Sequence, residues 1–208
     1  VAGVTAVYGA EYVQRVYGEI LPVPAERIVE AIDGLVVDLN GRQLRCLDTP
    51  GHARHHICIV DTTTNGIFTG DMFGLSYREL DVDGRQFIFP TTTPTQFEPE
   101  EMRASIRRLL ALQPEAMYLT HYGQVLDAQR QGAELLRHID CLVAIAQAER
   151  HAGEVRHARI KQAMTDYLLA EVRQHGCRLP DDQLLAIWAT DLELNAQGLG
   201  VWVDGLKN

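Results

Sequence analysis

Residues 49–56 read Thr-Pro-Gly-His-Ala-Arg-His-His and lie between two apolar stretches of the sequence. On the amino-terminal side, residues 35–39 and 42–47 are extended segments separated by Asn40-Gly41, a pair that favours the positive φ angles of a type I′ turn. On the carboxyl-terminal side, residues 56–60 have the apolar character of a strand. The pattern therefore predicts a β-hairpin, the quoted loop and a further strand, in that order.

Two more strands are predicted downstream, and each ends at a polar residue. Residues 67–69 form a short apolar segment that is followed by Gly70 and Asp71. Residues 116–120 form another, which delivers His121. The sequence thus places potential ligands at the ends of strands, where loops commonly bind them.

Helices are predicted on both sides of these strands. Apolar residues at three- and four-residue steps predict an early helix that is ended by Leu21-Pro22-Val23-Pro24. Its apolar positions are Val4, Val7, Tyr8, Tyr12, Val16 and Ile20. After an irregular stretch over residues 72–97, Pro99 begins a second helix, since proline suits the first helical turn. Three amphipathic helices are predicted in the last third of the chain.

The composition of the 208 residues sets bounds on the function. The hydrophobic fraction is 46% and the net charge is −9, so the chain is globular and would repel a nucleic-acid backbone. No apolar run approaches the length of a membrane span, and we expect neither a nucleic-acid nor a membrane partner. The cysteines form no Cys-x-x-Cys pair and are predicted to be reduced core thiols of a cytoplasmic protein; they are Cys46, Cys58, Cys141 and Cys177.

Three strand ends carry the residues with the clearest chemistry. His52, Asp71 and His121 supply two imidazoles and a carboxylate, a donor set that suits zinc, iron or manganese. Glycine directly precedes His52 and Asp71, which allows the backbone to approach a crowded site. We therefore predict that these three side chains cluster and ligate metal.

At these residues the sequence resembles the metallo-β-lactamase superfamily, especially its glyoxalase II-like hydrolases. The third metal motif of that family often reads Thr-Pro-Gly-His-x-x-Gly-His, and residues 49–56 match it except that His55 replaces the second glycine. Its fourth motif, a strand ending in Thr-Gly-Asp, is matched by residues 69–71. Its last motif, a strand ending in histidine, is matched by residues 119–121. The motifs occur in the family's order.

One departure from the family pattern is as informative as the matches. The hallmark His-x-His-x-Asp-His, which supplies two ligands to each of two metals, is absent from all 208 residues. The resemblance thus implies three of seven ligands: His52 completes the first metal site, His121 the second, and Asp71 bridges them as the catalytic residue. The chain begins with Val1, and we expect the missing motif to lie in a preceding segment.

The resemblance also implies a fold and a division of the chain. We expect an α/β protein in which residues 1–125 form the later half of a metallo-β-lactamase-like αββα sandwich. Residues 126–208 would form a C-terminal helical extension that walls the substrate site. Because half of the sandwich is missing, a sheet face should be covered by a second copy of the chain or by the missing amino-terminal half.

Residues next to the predicted ligands are expected to support the site. His56 opens a strand and is expected to pack or hydrogen-bond beside the site more readily than to ligate, and His55 is placed with it. Tyr122 follows the last ligand directly and is a candidate for contact with substrate.

The function that the resemblance implies is metal-dependent hydrolysis. Two divalent ions, with zinc favoured and iron or manganese as alternatives, would activate water against the carbonyl of a small ester, thioester, lactone or amide. Two alternatives stay open: an iron-dependent redox enzyme of the same superfamily, persulfide dioxygenase-like or flavodiiron-like, and a metal-free scaffold that lacks the first motif. A ribonuclease-type activity is disfavoured by the acidic charge.

Overall fold

The computed structural model describes Thr5 and residues 9–19, 21–92 and 94–206, and the chain divides into two compact units, Val1–Glu30 and Ala31–Asn208. The described residues of the first unit include helix α1, Ala10–Tyr17, and a 3-10 turn at Ala25–Arg27. The boundary predicted between residues 125 and 126 falls inside the second unit and stays a prediction.

The early helix ends before the point that the sequence predicts. It ends at Tyr17, because Gly18 adopts a positive φ of 62° and the chain leaves the helical path there, before Leu21-Pro22. The prediction that Leu21-Pro22-Val23-Pro24 ends the helix was therefore wrong. Four of its predicted apolar positions lie outside the described residues; they are Val4, Val7, Tyr8 and Ile20.

The described part of the second unit contains one six-stranded sheet and four α-helices. The strands are β1 Val36–Leu39, β2 Arg42–Asp48, β3 Ile57–Asp61, β4 Gly66–Gly70, β5 Ala116–Leu119 and β6 Gly123–Val125. The helices are α2 Pro99–Ala111, α3 Ala128–Ala148, α4 Arg156–His175 and α5 Asp181–Gly205. Two further 3-10 turns lie at Arg78–Leu80 and Gly153–Val155. The α/β class, the early hairpin and the three late helices are thereby confirmed.

The sheet order is β1-β2-β3-β4-β5-β6, with every neighbouring pair antiparallel except β4 and β5, which are parallel. Since β3 is antiparallel to both β2 and β4, strands β2, β4 and β5 all run in the same direction. Their carboxyl ends therefore meet at one edge of the sheet. The loops that carry His52, Asp71 and His121 all leave from that edge.

The two faces of the sheet differ sharply in burial. One face carries a row of register partners that are fully or almost fully buried and belong to the same core as α2 to α5; the row is Val60, Ile67, Met117 and Val125. The opposite face carries Ile59, Phe68 and Tyr118, with Phe68 47% exposed and its ring 5.2 Å from that of Tyr118. A stacked aromatic pair is thus left open to solvent on one face.

The loop that carries His52 is pressed against the start of α2. Gly51 has a φ of +130°, and a Cβ there would lie 2.3 Å from the backbone N and Cα of Met102. Its carbonyl accepts a hydrogen bond from the Glu98 N–H at 2.8 Å, and the Ser105 hydroxyl donates to the Pro50 carbonyl at 2.7 Å. Only glycine fits this contact, which fixes the loop on the helix.

The helices that follow the sheet are part of the common core. Trp188, Leu192 and Leu199 of α5 are buried in the same hydrophobic cluster as the buried sheet face. All four cysteines are free; Cys46, Cys58 and Cys177 are buried and Cys141 is partly exposed. None of the described helices has the length and apolar character that a membrane crossing requires.

We predict that replacing Gly51 with alanine destabilises the protein much more than the same change at Gly84. Both glycines have positive φ, but a Cβ at Gly84 meets nothing within 4 Å. Gly84→Ala should therefore lower the free energy of unfolding by about 1 to 2 kcal/mol, the cost of the left-handed backbone. Gly51→Ala should lower it by about a further 1 to 3 kcal/mol, because Met102 must move. Urea denaturation measures both; equal losses would contradict the proposed packing.

Candidate metal centre

The three strand-end side chains predicted from the sequence lie together in the structure. His52 Nε2 is 3.6 Å from Asp71 Oδ2, and His121 Nε2 is 3.2 Å from Asp71 Oδ1. The carboxylate therefore stands between the two imidazoles, and each of its oxygens faces a different ring. The exposed fraction rises across the site from 15% for the His52 side chain to 28% for Asp71 and 47% for His121. The site is open on the His121 side.

One carboxylate oxygen is buried without a hydrogen bond. Asp71 Oδ1 has no hydrogen-bond donor among the described residues, although His121 Nε2 is nearby. A buried carboxylate oxygen that lacks a donor is costly unless a cation neutralises it. This orphaned atom is the kind of group that a metal ion satisfies.

The distances between donor atoms agree with those of a metal site. Two ligand atoms that each lie about 2.1 Å from one ion at a tetrahedral angle are about 3.4 Å apart. The separations of 3.6 and 3.2 Å at Asp71 bracket that value. Each pair supplies only two donors, however, and no group of three or more His, Cys, Asp or Glu residues in the described part of the chain is arranged to hold an ion. The donors fit metal, but further ligands are required.

His52 is held by Thr91, which also fixes its tautomer. The Thr91 hydroxyl donates its single hydrogen to the Asp71 carbonyl at 2.9 Å, and its oxygen lies 3.0 Å from His52 Nδ1. With that hydrogen committed, Nδ1 must be the donor and must carry the ring proton. Burial lowers the pKa of His52, which favours the neutral ring. The lone pair is then on Nε2, the nitrogen that faces Asp71.

His56 supports the Asp71 backbone from the other side. The Asp71 N–H donates to His56 Nε2 at 3.1 Å, so that nitrogen has its lone pair in use. The proton of the neutral ring is then on Nδ1, which lies 3.0 Å from the Thr49 hydroxyl. A Cβ at Gly70 would lie 2.5 Å from His56 Nε2, which explains why glycine precedes Asp71. His56 acts here as a brace for the peptide of Asp71.

The other two predicted neighbours differ in their surroundings. The His55 side chain is exposed to solvent. Tyr122 is 46% exposed and has a φ of 77°, rare for a bulky residue, and its ring stacks on Tyr77 with centroids 4.1 Å apart. The Tyr77 hydroxyl in turn donates to the Asp191 carboxylate of α5. These aromatic rings form a wall beside His121.

Sequence reasoning missed three residues that build the site, namely Thr91, Tyr77 and Asp191. Thr91 stands in the stretch predicted to be irregular, and no local pattern distinguishes it from the threonines that follow. Asp191 lies in a helix whose apolar spacing was recognised, but a charged residue on a helix is usually solvated. Their roles depend on contacts between residues far apart in sequence.

Comparison with known protein families finds a match that covers most of the sheet. The family model described as metallo-beta-lactamase superfamily matches residues 3–121, more than half of the chain. Over 100 residues the chain is 29% identical to the metallo-beta-lactamase fold-containing protein ST1585 of Sulfurisphaera tokodaii. The aligned segment covers 48% of this chain and 34% of that protein. The chain is also 45% identical over 42 residues to an atrochrysone carboxyl ACP thioesterase of Aspergillus chevalieri. That aligned segment covers 20% of this chain and 14% of the relative. The chain thus spans about a third or less of these curated relatives.

Solved structures give the same fold. The crystal structure of ST1585 from Sulfolobus tokodaii superposes with a TM-score of 0.51 and 27% identity, covering 65% of this chain and 48% of that chain. A beta-lactamase domain protein from Burkholderia ambifaria superposes with a TM-score of 0.54 over 96% of this chain and 57% of its own. At 18% identity, the second likeness concerns the fold alone.

The two adjacent histidines provide a direct test of the bracing contact. His56→Ala should lower the free energy of unfolding by about 1 to 3 kcal/mol, since it leaves the Asp71 N–H without its acceptor. His55→Ala should change it by less than about 0.5 kcal/mol, because that side chain is exposed. Calorimetry on the metal-free variants measures both changes. Similar losses for the two variants would show that His56 does not brace Asp71.

Proposed function

We propose that this chain, which belongs to the metallo-beta-lactamase superfamily, carries part of the active site of a metal-dependent hydrolase. The observation that supports this most is the placement of Asp71 between two imidazoles, with one carboxylate oxygen toward each. A carboxylate in that position suits a bridge between two ions better than a ligand of one. The hydrolase is proposed for the intact protein.

His52 Nε2 and Asp71 Oδ2 would hold one ion, and His121 Nε2 and Asp71 Oδ1 the other. A pair of divalent ions, when bound, would supply a hydroxide at neutral pH and would polarise the substrate carbonyl. The chain's own residues supply orientation: Thr91 directs the His52 lone pair into the site, and His56 fixes the Asp71 peptide. The exposed ring of Tyr122, beside His121, is proposed to contact the substrate.

The substrate proposed is a small ester, thioester, lactone or amide. The name of the Aspergillus chevalieri relative, a thioesterase, favours a thioester among these. Zinc is the favoured metal, and the same imidazole and carboxylate donors accept iron or manganese. Iron with oxygen-dependent turnover would instead indicate the redox alternative.

The other metal ligands and the cover of the open sheet face are proposed to come from outside the described residues. Each pair at Asp71 provides two donors, fewer than an ion requires. Phe68 and Tyr118 present a stacked aromatic surface that a further layer would bury. An amino-terminal half or a second copy of the chain would supply both. The net charge of −9 disfavours a nucleic-acid partner.

We predict that Asp71→Ala abolishes hydrolysis in the intact protein, whereas His55→Ala retains most of it. Loss of the carboxylate removes a donor from both ions, so the rate towards a thioester should fall by at least about 100-fold. His55 is exposed and reaches neither ion in the proposed arrangement. The rates of both variants are measured with zinc and manganese at saturation, after metal analysis of the purified wild type.

Three results would count against the proposal. Restoration of Asp71→Ala to near the wild-type rate by excess metal would exclude Asp71 as the bridge. Full activity of both variants would exclude these strand ends as the active site. Iron retained in the purified wild type, with oxygen consumed during turnover, would replace the hydrolase with the redox enzyme.

A further inference from the structure

We propose that Asn195, in helix α5, is a positioning residue that holds His52 in its metal-binding tautomer by fixing Thr91. The role of His52 as a ligand rests on the proposed function, but the hydrogen bonds that fix its tautomer do not. The inference makes the last helix of the chain a structural part of the site at the sheet edge.

Asn195 joins α5 to the loop that contains Thr91. Its side chain is buried, with 1% exposed, and its Oδ1 accepts a hydrogen bond from the Thr92 N–H at 2.7 Å. Its Nδ2 donates to the Pro90 carbonyl at 3.1 Å, and its own carbonyl accepts from the Thr92 hydroxyl at 3.0 Å. These three bonds hold the residues on either side of Thr91.

Thr91 is thereby held at both of its peptide bonds, and its side chain has little freedom. Its buried hydroxyl donates to the Asp71 carbonyl and accepts from His52 Nδ1. A continuous series of hydrogen bonds therefore runs from Asn195 through the loop to His52. If the loop shifts, the Thr91 oxygen leaves Nδ1, and the proton of the neutral ring is free to move to Nε2, the proposed ligand atom.

The chemistry of this contact requires an amide. Asn195 occupies a core position of α5, on the buried face that also carries Trp188, Leu192 and Leu199. Burying a polar side chain there is unfavourable unless its donor and its acceptor are both bonded. Aspartate has no donor for the Pro90 carbonyl, and leucine has neither group. Packing of the core does not require a polar residue at this position, because an apolar residue would pack equally well. We therefore attribute the amide to its hydrogen bonds with the loop.

The tautomer of His52 is measured by nitrogen NMR of its imidazole, in the metal-free chain and at a pH where the ring is neutral. In the wild type we expect the proton on Nδ1. Asn195→Asp should produce a measurable population with the proton on Nε2, and Thr92→Val, which removes one bond of the clamp, should produce a smaller one. Gln197→Ala is the control, because within the described residues the Gln197 side chain donates to Glu193 on the same helix and not to the Thr91 loop.

Zinc titration of the same variants gives a second readout. Asn195→Asp should weaken zinc binding by about 10-fold, the lower end of the range for residues that orient a metal ligand. Thr91→Val should weaken it by about 10- to 100-fold and give the same tautomer change, whereas Thr91→Ser, which keeps the hydroxyl, should restore both properties. Gln197→Ala should leave both unchanged.

The inference is overturned if His52 keeps its Nδ1 proton in the Asn195→Asp variant. If Asn195→Asp does not fold, the same result in the Thr92→Val variant overturns it. A lower melting temperature with an unchanged tautomer would likewise reduce Asn195 to a structural contact. A further outcome separates the two proposals. If the variants change the tautomer of His52 but the wild-type intact protein binds no zinc, the positioning role is supported and the proposed metal site is contradicted. The two failures are therefore distinguishable.

Discussion

The shared direction of three strands is the constraint on which the site depends. Because β3 is antiparallel to both of its neighbours, β2 runs parallel to β4, and β5 pairs with β4 in parallel. Three loops far apart in sequence therefore leave the same edge of the sheet. Reversal of any one of these strands would carry its histidine or aspartate to the opposite edge, and the pairs at Asp71 would not form.

Strand direction brings the loops together, and hydrogen bonds and close packing then fix the side chains. The peptide groups of Asp71 are held on both sides, its N–H by His56 and its carbonyl by Thr91. Gly51 allows the His52 loop to lie directly on the backbone of α2. The carboxylate itself is left without a hydrogen-bond donor at Oδ1 among the described residues, although the peptide groups around it are bonded.

The sequence predicted the local elements well, and the long-range contacts hardly at all. Asn40-Gly41 predicted the hairpin because its turn chemistry is local, and both residues have positive φ. The three strand-end residues could be predicted because metal-binding residue types that directly follow apolar segments can be recognised in the sequence itself. The short strand β6 was missed because it forms only by pairing with β5. Asn195 carried a signal that was not used, a polar residue at a core position of an apolar helix face.

Asp71 is proposed to bridge two metal ions, and anomalous X-ray diffraction from zinc-soaked crystals of the intact protein is the sharpest test of that proposal. We expect two anomalous peaks, one in contact with His52 Nε2 and Asp71 Oδ2 and the other in contact with His121 Nε2 and Asp71 Oδ1. A zinc-soaked crystal with no peak within bonding distance of Asp71, or with a single ion that leaves one of the two histidines unbound, would contradict it.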